Sequence, residues 1–265
     1  MSADIMTQKN IPGTQSLRRA IAILKILSNS PPDGIKLTEV ATRNELHVAT
    51  CHRLLRALSE EGLVLFTDAT KTYRLGPELR RLGWCADQHS GLERTLNPVL
   101  ERVAERTGDT VFLSVRSGMN AVCLARRQGV YPVRALVLDI GSISPLGVGA
   151  GSVALCASLS DSLIAKILAH HETEYSRFNL QPSDVVELVN RTRAQGYAVS
   201  DGRVILDCTG VGVLVSTGVG DEKASISVAA VNSRMSPDRR KEIVAEIRAA
   251  CDALLGQPMG IVGKA

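Results

Sequence analysis

Residues 37–76 read LTEVATRNELHVATCHRLLRALSEEGLVLFTDATKTYRLG, and this stretch decides the fold of the N-terminal part of the chain. Apolar residues recur at helical spacing over residues 37–44 and again over 47–61, with a brief break between them. A short apolar run, a polar turn at 67–71 and a second run then predict a hairpin that Gly76 closes. Two short helices followed by a hairpin are typical of a winged helix-turn-helix.

The pattern continues on both sides of this stretch. Apolar positions over residues 17–27 predict a preceding helix, because they form one broad helical stripe. Thr38 is predicted to cap the second helix, since its hydroxyl can accept a hydrogen bond from a backbone N–H. We therefore predict a winged helix-turn-helix domain at residues 14–76, followed by a linker helix at 77–90.

Residues 91–258 are predicted to form a second domain of the α+β class. Alternating strands, then helices, then further strands and a closing helix indicate a mostly antiparallel sheet with flanking helices, packed mainly on one face. One strand is predicted at 133–138. The glycine-rich loop PLGVGAG at 145–151 either brings backbone N–H groups close to an anion or only makes a strand-to-helix turn.

Charge and cysteine usage narrow the class of protein. Residues 1–76 carry ten Lys and Arg against seven Asp and Glu, whereas the rest of the chain carries twenty-one against twenty. This local basic excess fits a phosphate-facing surface. Six cysteines without metal-ligand spacing predict free thiols, no metal site and no cofactor. Without a signal peptide or an apolar run of ~20 residues, we expect a soluble cytoplasmic protein that does not span a membrane.

Residues 47–61 are predicted to be a recognition helix, since an α-helix fits the major groove of B-DNA. The residues predicted to reach base edges lie on its first half: Ala49, Thr50, His52 and Arg53. The residues predicted to contact the DNA backbone are basic: Arg18, Arg19, Arg56 and, at the wing tip, Lys71. Thr38 and His47, at the starts of the two helices, complete the predicted contacts.

Several stretches resemble one known family. IclR-type transcriptional regulators have an N-terminal domain that is closely similar to SLRRAIAILKILS, LTEVATRNELHVATCHRLLRALSEEGLVLF and TKTYRLGPEL. Their effector-binding domain is similar to GDTVFLSVRSGMNAVCLARR, PLGVGAGSVALCA, RAQGYAVSDG and KASISVAAVNSR. The resemblance spans residues 14–255. It implies a GAF-like effector-binding domain, a homodimer or a dimer of dimers, and a palindromic operator in double-stranded DNA.

The resemblance also implies where a small-molecule effector binds. The positions that match the family's contacts are Ala150, Gly151, Ser200, Asp201, Gly210, Ser227 and Ala229. Gly210 stands where some members have Cys, and Ala229 where some have a second Ser. Ser225 and Ser227 share one face of a predicted strand, where they either line a pocket or face solvent. A carboxylic acid would suit the glycine-rich loop.

The residues thus favour a DNA-binding regulator, repressor or activator, whose operator binding responds to an effector. One alternative is an enzyme that converts a small molecule and uses the N-terminal unit for dimerisation. The sequence offers no catalytic Ser/His/Asp or Cys/His arrangement, which argues against an enzyme. His170 and His171 are expected in solvent at a helix end. A winged helix used for protein–protein contact is a further alternative, although the outer face of the third helix is polar.

Overall fold

The computed structural model describes residues 13–216 and 223–255. Contacts within the chain divide it into two compact units, with the division between Ser90 and Gly91. The predicted domain end at residue 258 lies outside the described residues.

The first unit is a winged helix-turn-helix, as predicted. Its elements are α1 (Gln15–Ser28), β1 (Ile35–Lys36), α2 (Leu37–Arg43), α3 (Val48–Glu60), β2 (Val64–Thr67), β3 (Thr72–Leu75) and α4 (Pro77–Ser90). The strands form an antiparallel sheet in the order β1-β3-β2, in which β1 adds a strand that the sequence did not predict. The buried core combines one apolar side of α1 and α3 with the inner residues of the sheet, such as Val64 and Tyr73.

The predicted cap at Thr38 is wrong. Helix α2 begins one residue earlier, at Leu37, after Lys36 in extended conformation, and no side chain caps it. Lys36 pairs with Thr72 in the sheet, so the strand pairing determines where the chain turns into the helix.

The second unit is an α+β domain built on an antiparallel sheet, also as predicted. Its helices are α5 (Leu92–Thr107), α6 (Ala150–Ala157), α7 (Asp161–His170), α8 (Glu172–Tyr175), α9 (Pro182–Gln195) and α10 (Pro237–Leu255). Its strands are β4 (Thr110–Ser117), β5 (Asn120–Gln128), β6 (Ile143–Pro145), β7 (Ala198–Asp201), β8 (Cys208–Ser216) and β9 (Lys223–Val231). The sheet order is β6-β5-β4-β9-β8-β7.

Helices cover both faces of this sheet, and the expectation that they pack mainly on one face is wrong. Ile226 and Val228 of β9 belong to a core shared with α5 and α10. Ser225 and Ser227 point to the opposite face because side chains alternate along a strand. There α6 lies so close that a Cβ on Gly151 would be 3.0–3.1 Å from both serine hydroxyls.

Two further expectations fail in this unit. Residues 133–138 form no strand, and β5 pairs with β4 on one side and with the short β6 on the other. His171 is 2% exposed rather than solvated, and its ring nitrogens lie 3.2 Å from Glu174 Oε2 and 3.0 Å from the Met119 carbonyl oxygen. Both differences depend on partners distant in sequence, which a local pattern does not contain.

Candidate functional sites

Helix α3 has one apolar and one polar face. Cys51, Leu55 and Leu58 are buried in the core, and the residues between them remain accessible. The predicted contacts on this helix are placed as follows: His47, Ala49, His52, Arg53 and Arg56 are exposed, and Thr50 is half-buried. The exposed face of the helix is therefore mostly polar, with Val48 and Ala49 exposed at its N-terminal end.

The two arginines on this face differ in their partners. Among the described residues, the Arg53 side chain makes no ion pair or hydrogen bond, so its guanidinium is available for an acceptor outside the unit. Arg56 Nε lies 3.0 Å from Glu60 Oε1, one helical turn away. Both partners are exposed, and such a pair stabilises a helix by only about 0.3–0.5 kcal/mol. A phosphate can therefore replace Glu60 at little cost.

The wing is the hairpin of β2 and β3, with Lys71 at its tip. Lys71 has a left-handed backbone (φ 54°), and its Nζ lies 2.6 Å from Asp68 Oδ1 and 5.9 Å from the centre of the Phe66 ring. Arg74 is an exposed cation on β3 that the sequence prediction omitted. The sequence could have predicted that Arg74 is exposed, because it follows the inward-facing Tyr73 in a strand whose side chains alternate between the two faces.

The remaining predicted DNA contacts lie on α1 and α2. Arg18 and Thr38 are exposed, and Arg19 is half-buried. Asn44 Nδ2 donates to the Arg19 carbonyl at 3.3 Å, which connects α1 to the turn between α2 and α3. Glu45 in that turn has φ 50°, a conformation that glycine adopts more readily.

The second unit contains a cavity of about 180 Å³ between the sheet and α6. Its floor is formed by residues of β4, β8 and β9, including Phe112, Gly210 and Ser227. One wall is the loop before α6 together with the first residues of that helix. The other walls are two loops, which contribute Val137 and Leu138 on one side and Val204 and Ile205 on the other.

Six of the seven predicted effector positions line this one cavity: Ala150, Gly151, Ser200, Gly210, Ser227 and Ala229. Asp201 does not line it. The Asp201 carboxylate accepts a hydrogen bond from Arg240 Nη2 at 2.9 Å and lies on the opposite side of the strand from Ser200. Ser225 is fully buried beneath α6 and does not line the cavity either.

The backbone N–H groups at the start of α6, beside the cavity, are unpaired within the described chain. Within the described chain, none of the backbone N–H groups of residues 149–152 has an intramolecular acceptor. The same four residues line the cavity. The Ser152 side chain is already engaged, because its hydroxyl donates to the Pro145 carbonyl and accepts from the Gly147 N–H, each at 3.0 Å. The first N–H groups of a helix have no intrahelical partner, so these groups can donate to water or to a bound acceptor.

Among the described residues, no Asp, Glu, Lys, Arg or His lines the cavity. Its surface is apolar apart from hydroxyls, thiols and backbone groups. Burial raises the pKa of the Cys123 thiol to about 11 and also raises that of Cys208, so both thiols are protonated at neutral pH. Neither is therefore an activated nucleophile.

Sequence reasoning missed much of the apolar lining, notably Phe112, Val137, Phe178 and Val204. Phe112 could have been predicted from the sequence, because side chains alternate along a strand and Phe112 therefore faces the opposite side of the sheet from Val111 and Leu113. For the residues in loops no periodic pattern exists.

Two family models match the chain. The IclR helix-turn-helix domain matches residues 16–67, and the bacterial transcriptional regulator IclR C-terminal domain matches residues 85–255. The HTH-type transcriptional regulator BhcR of Paracoccus denitrificans (strain Pd 1222) is 29% identical over 231 residues, which cover 86% of this chain and 81% of that protein.

Solved structures share the fold. An IclR transcriptional regulator from Alicyclobacillus acidocaldarius has a TM-score of 0.75 at 23% identity, covering 91% of this chain and 97% of that one. An IclR homolog from Microbacterium hydrocarbonoxydans, crystallised with 4-hydroxybenzoate, has a TM-score of 0.72 at 17% identity, covering 91% and 100%.

A winged helix-turn-helix followed by an effector-binding domain defines a DNA-binding transcriptional regulator rather than an enzyme. Two matched models that together span most of the sequence make the assignment specific. The chain belongs to the IclR family of transcriptional regulators. Among its described residues, no helix is long and apolar enough to cross a bilayer, and no three His, Cys, Asp or Glu side chains are grouped to hold a metal ion.

Proposed function

We propose that this regulator binds operator DNA through α3 and the wing, and that a monocarboxylate in the cavity changes its operator affinity. The DNA-binding domain would comprise residues 14–76, the linker helix 77–90 and the effector domain 91–258. A homodimer or a dimer of dimers would place paired α3 helices on a palindromic site, since operator symmetry follows protein symmetry.

The unpaired cation on α3 supports the DNA-binding surface. Arg53 is exposed and unpaired among the described residues, next to His52 and close to Ala49 and Thr50. A bidentate arginine contact to guanine discriminates between bases by about 1–3 kcal/mol. Lys71, Arg56, Arg18 and Arg19 would contact phosphates, while Thr38 and His47 would contact the backbone at the helix starts.

The N–H cluster at residues 149–152 is the observation that supports a carboxylate. Helix N-termini bind anions because their free N–H groups and the helix dipole both favour negative charge. The rest of the lining holds no cation, so a second carboxylate would be buried without a partner. Leaving a buried charge unpaired costs several kcal/mol. The cavity therefore suits a ligand with one carboxylate and an apolar or hydroxylated body.

The volume of the cavity limits the size of the ligand. A dry cavity of about 150 Å³ accommodates benzene, so the cavity here holds about one aromatic ring or a short aliphatic acid. The homolog crystallised with 4-hydroxybenzoate binds an acid of this size. Ala150, Gly151, Ser200, Gly210, Ser227 and Ala229 would surround the ligand. Asp201 would act through its two partners, the hydroxyl of the cavity-lining Thr209 and the guanidinium of Arg240.

Ligand charge can be tested with three compounds of similar shape. We expect calorimetry to detect binding of 4-hydroxybenzoate, and binding at least about 100-fold weaker for neutral 4-hydroxybenzamide and for the dianion terephthalate. Ala229→Leu, which fills the cavity, should abolish binding, whereas Ala245→Leu on the exposed side of α10 should not. Equal affinity for acid and amide would contradict an anion site at α6.

Operator binding can be tested with the DNA that flanks the protein's own gene. Fluorescence anisotropy should show sequence-preferring, salt-sensitive binding that Arg53→Ala weakens by about 1–3 kcal/mol with loss of base preference. Arg191→Ala, an exposed arginine on α9, is the matched control and should have no effect. An unchanged base preference in Arg53→Ala would remove Arg53 from the recognition surface.

A further inference from the structure

A long loop without regular secondary structure covers one side of the cavity. Residues 129–142 connect β5 to β6, and we refer to them as the cavity loop. Val137, Leu138 and Ser142 of this loop line the cavity.

The two ends of the cavity loop are firmly attached. At the start, the Tyr131 N–H donates to the Gly108 carbonyl at 2.9 Å, and the Arg234 guanidinium stacks 3.8 Å from the centre of the Tyr131 ring. At the end, the Gly141 N–H donates to the Cys123 carbonyl at 2.7 Å. These contacts hold residues 131 and 141, on either side of the cavity-lining Val137 and Leu138.

Between these ends, a single side chain holds the described part of the loop by hydrogen bonds. Arg126 Nη1 donates to the Leu138 carbonyl and to Asp139 Oδ1, each at 3.0 Å. Within the described chain, these are the only hydrogen bonds from residues 132–140 to another segment. Asp139 is 88% exposed, so its ion pair with Arg126 contributes little to holding the loop. The hydrogen bond to the Leu138 carbonyl contributes more.

Apolar burial supplies a second, small attachment, because the half-buried Val137 and Leu138 pack against a cluster of Phe112, Cys123 and Ala229. Val133, Leu136 and Ile140 are 55%, 45% and 59% exposed. Ala135 is the buried residue of this stretch, and it packs beside Phe112 and Cys123. A segment with few buried contacts opens at a small fraction of the free energy of global unfolding.

We infer that Arg126 is a positioning residue of the effector site: its bond to the Leu138 carbonyl keeps the cavity loop closed over the ligand. Arg126 does not line the cavity and acts through Leu138, which does. Release of this bond opens the cavity to an entering or departing ligand. The inference rests on the proposed effector site, but the closed state of the loop can be measured without any ligand.

Two native cysteines provide the measurement. Cys123 is 2% exposed, lines the cavity and packs against the cavity loop. Cys156 is fully buried in a different core, under helices. Alkylation of Cys123 therefore reports loop opening, and alkylation of Cys156 reports unfolding of the domain.

The experiment measures alkylation of each cysteine by N-ethylmaleimide, using peptide mass spectrometry on the full-length protein. Arg126→Ala should accelerate Cys123 about tenfold, which corresponds to about 1.4 kcal/mol, without accelerating Cys156. Arg126→Lys, which retains one donor, should restore most of the protection. Arg127→Ala is the matched control, because the Arg127 side chain contacts Glu101 and the Arg126 carbonyl but makes no hydrogen bond to the cavity loop.

Two results would overturn the inference. One is an unchanged Cys123 rate in Arg126→Ala; the other is equal acceleration of Cys123 and Cys156, which indicates a general loss of stability. With 4-hydroxybenzoate as probe, Arg126→Ala should also raise the dissociation rate more than Arg127→Ala does. If the acid fails to bind the wild-type protein, the proposed function fails, while the alkylation result still decides the role of Arg126.

Discussion

The close contact between β8 and the start of α6 leads to a sharp prediction about two glycines on one strand. Gly212 lies in β8 and pairs with Ala198 on one side and Ser227 on the other, so the strand cannot move aside. A Cβ on Gly212 would lie 2.5 Å from the Ala150 carbonyl oxygen and 2.9 Å from the Gly151 nitrogen. A Cβ on Gly210 would lie 3.2 Å from the Ala150 Cβ.

These distances determine the expected size of each effect. In Gly212→Ala the start of α6 has to retreat by about 1 Å to reach an ordinary contact of 3.4 Å. Overpacking of this kind costs about 1–3 kcal/mol. We expect a loss of about 2 kcal/mol, which lowers Tm by about 4–8 °C in a domain of this size. Gly210→Ala needs a shift of only a few tenths of an ångström and should leave Tm nearly unchanged.

The same displacement should weaken ligand binding. The N–H groups of residues 149–152 move with α6, and hydrogen bonds weaken steeply when distance and angle depart from their optimum. Calorimetry with 4-hydroxybenzoate should therefore show a loss of at least about tenfold in Gly212→Ala and a smaller loss in Gly210→Ala. If differential scanning calorimetry and ligand binding fail to distinguish the two variants, the contact between β8 and α6 does not hold the anion site.

Three further predictions concern DNA binding, pH and the helix-turn-helix turn. Arg56→Ala and Lys71→Ala should each weaken operator binding across all sequences and reduce the slope of log affinity against log salt by about one, as measured by anisotropy titrations; a change in base preference would contradict their assignment to phosphates. Unfolding free energy should fall between pH 9 and pH 11, because unfolded thiols with a pKa near 9 release protons that Cys123 and Cys156, with pKa values of about 11, retain. Urea titrations of Cys156→Ala should show this slope reduced by about 1.4 kcal/mol per pH unit, and an unaltered slope would refute the coupling. Glu45→Gly should raise the free energy of unfolding of the first unit by about 0.5–1 kcal/mol, as measured by urea titration, since glycine adopts φ 50° without strain. Asn44→Gly is the control and should give no such increase, because Asn44 has a negative φ.

Local periodicity predicted most of the first unit, apart from β1 and the exact start of α2. The apolar positions of residues 47–61 predicted a helix with one polar face, and α3 occupies Val48–Glu60 with that face exposed. The polar turn predicted the wing, because a hairpin forms between residues adjacent in sequence. The start of α2 was misplaced by one residue, since it depends on the pairing of Lys36 with Thr72, which is not a local contact.

The cavity required the tertiary structure. Its lining extends from Phe112 to Ala229 and comes from strands, a helix start and two loops that the sheet order brings together. The resemblance indicated positions such as Ser227, but the opposite orientations of Ser200 and Asp201 became visible only with the strand in place. The sequence alone thus determined the elements whose contacts are local. Tertiary packing decided which side chains share the cavity, where the N–H groups of α6 remain unpaired and how Arg126 holds the loop, because burial and pairing depend on residues far apart in the chain.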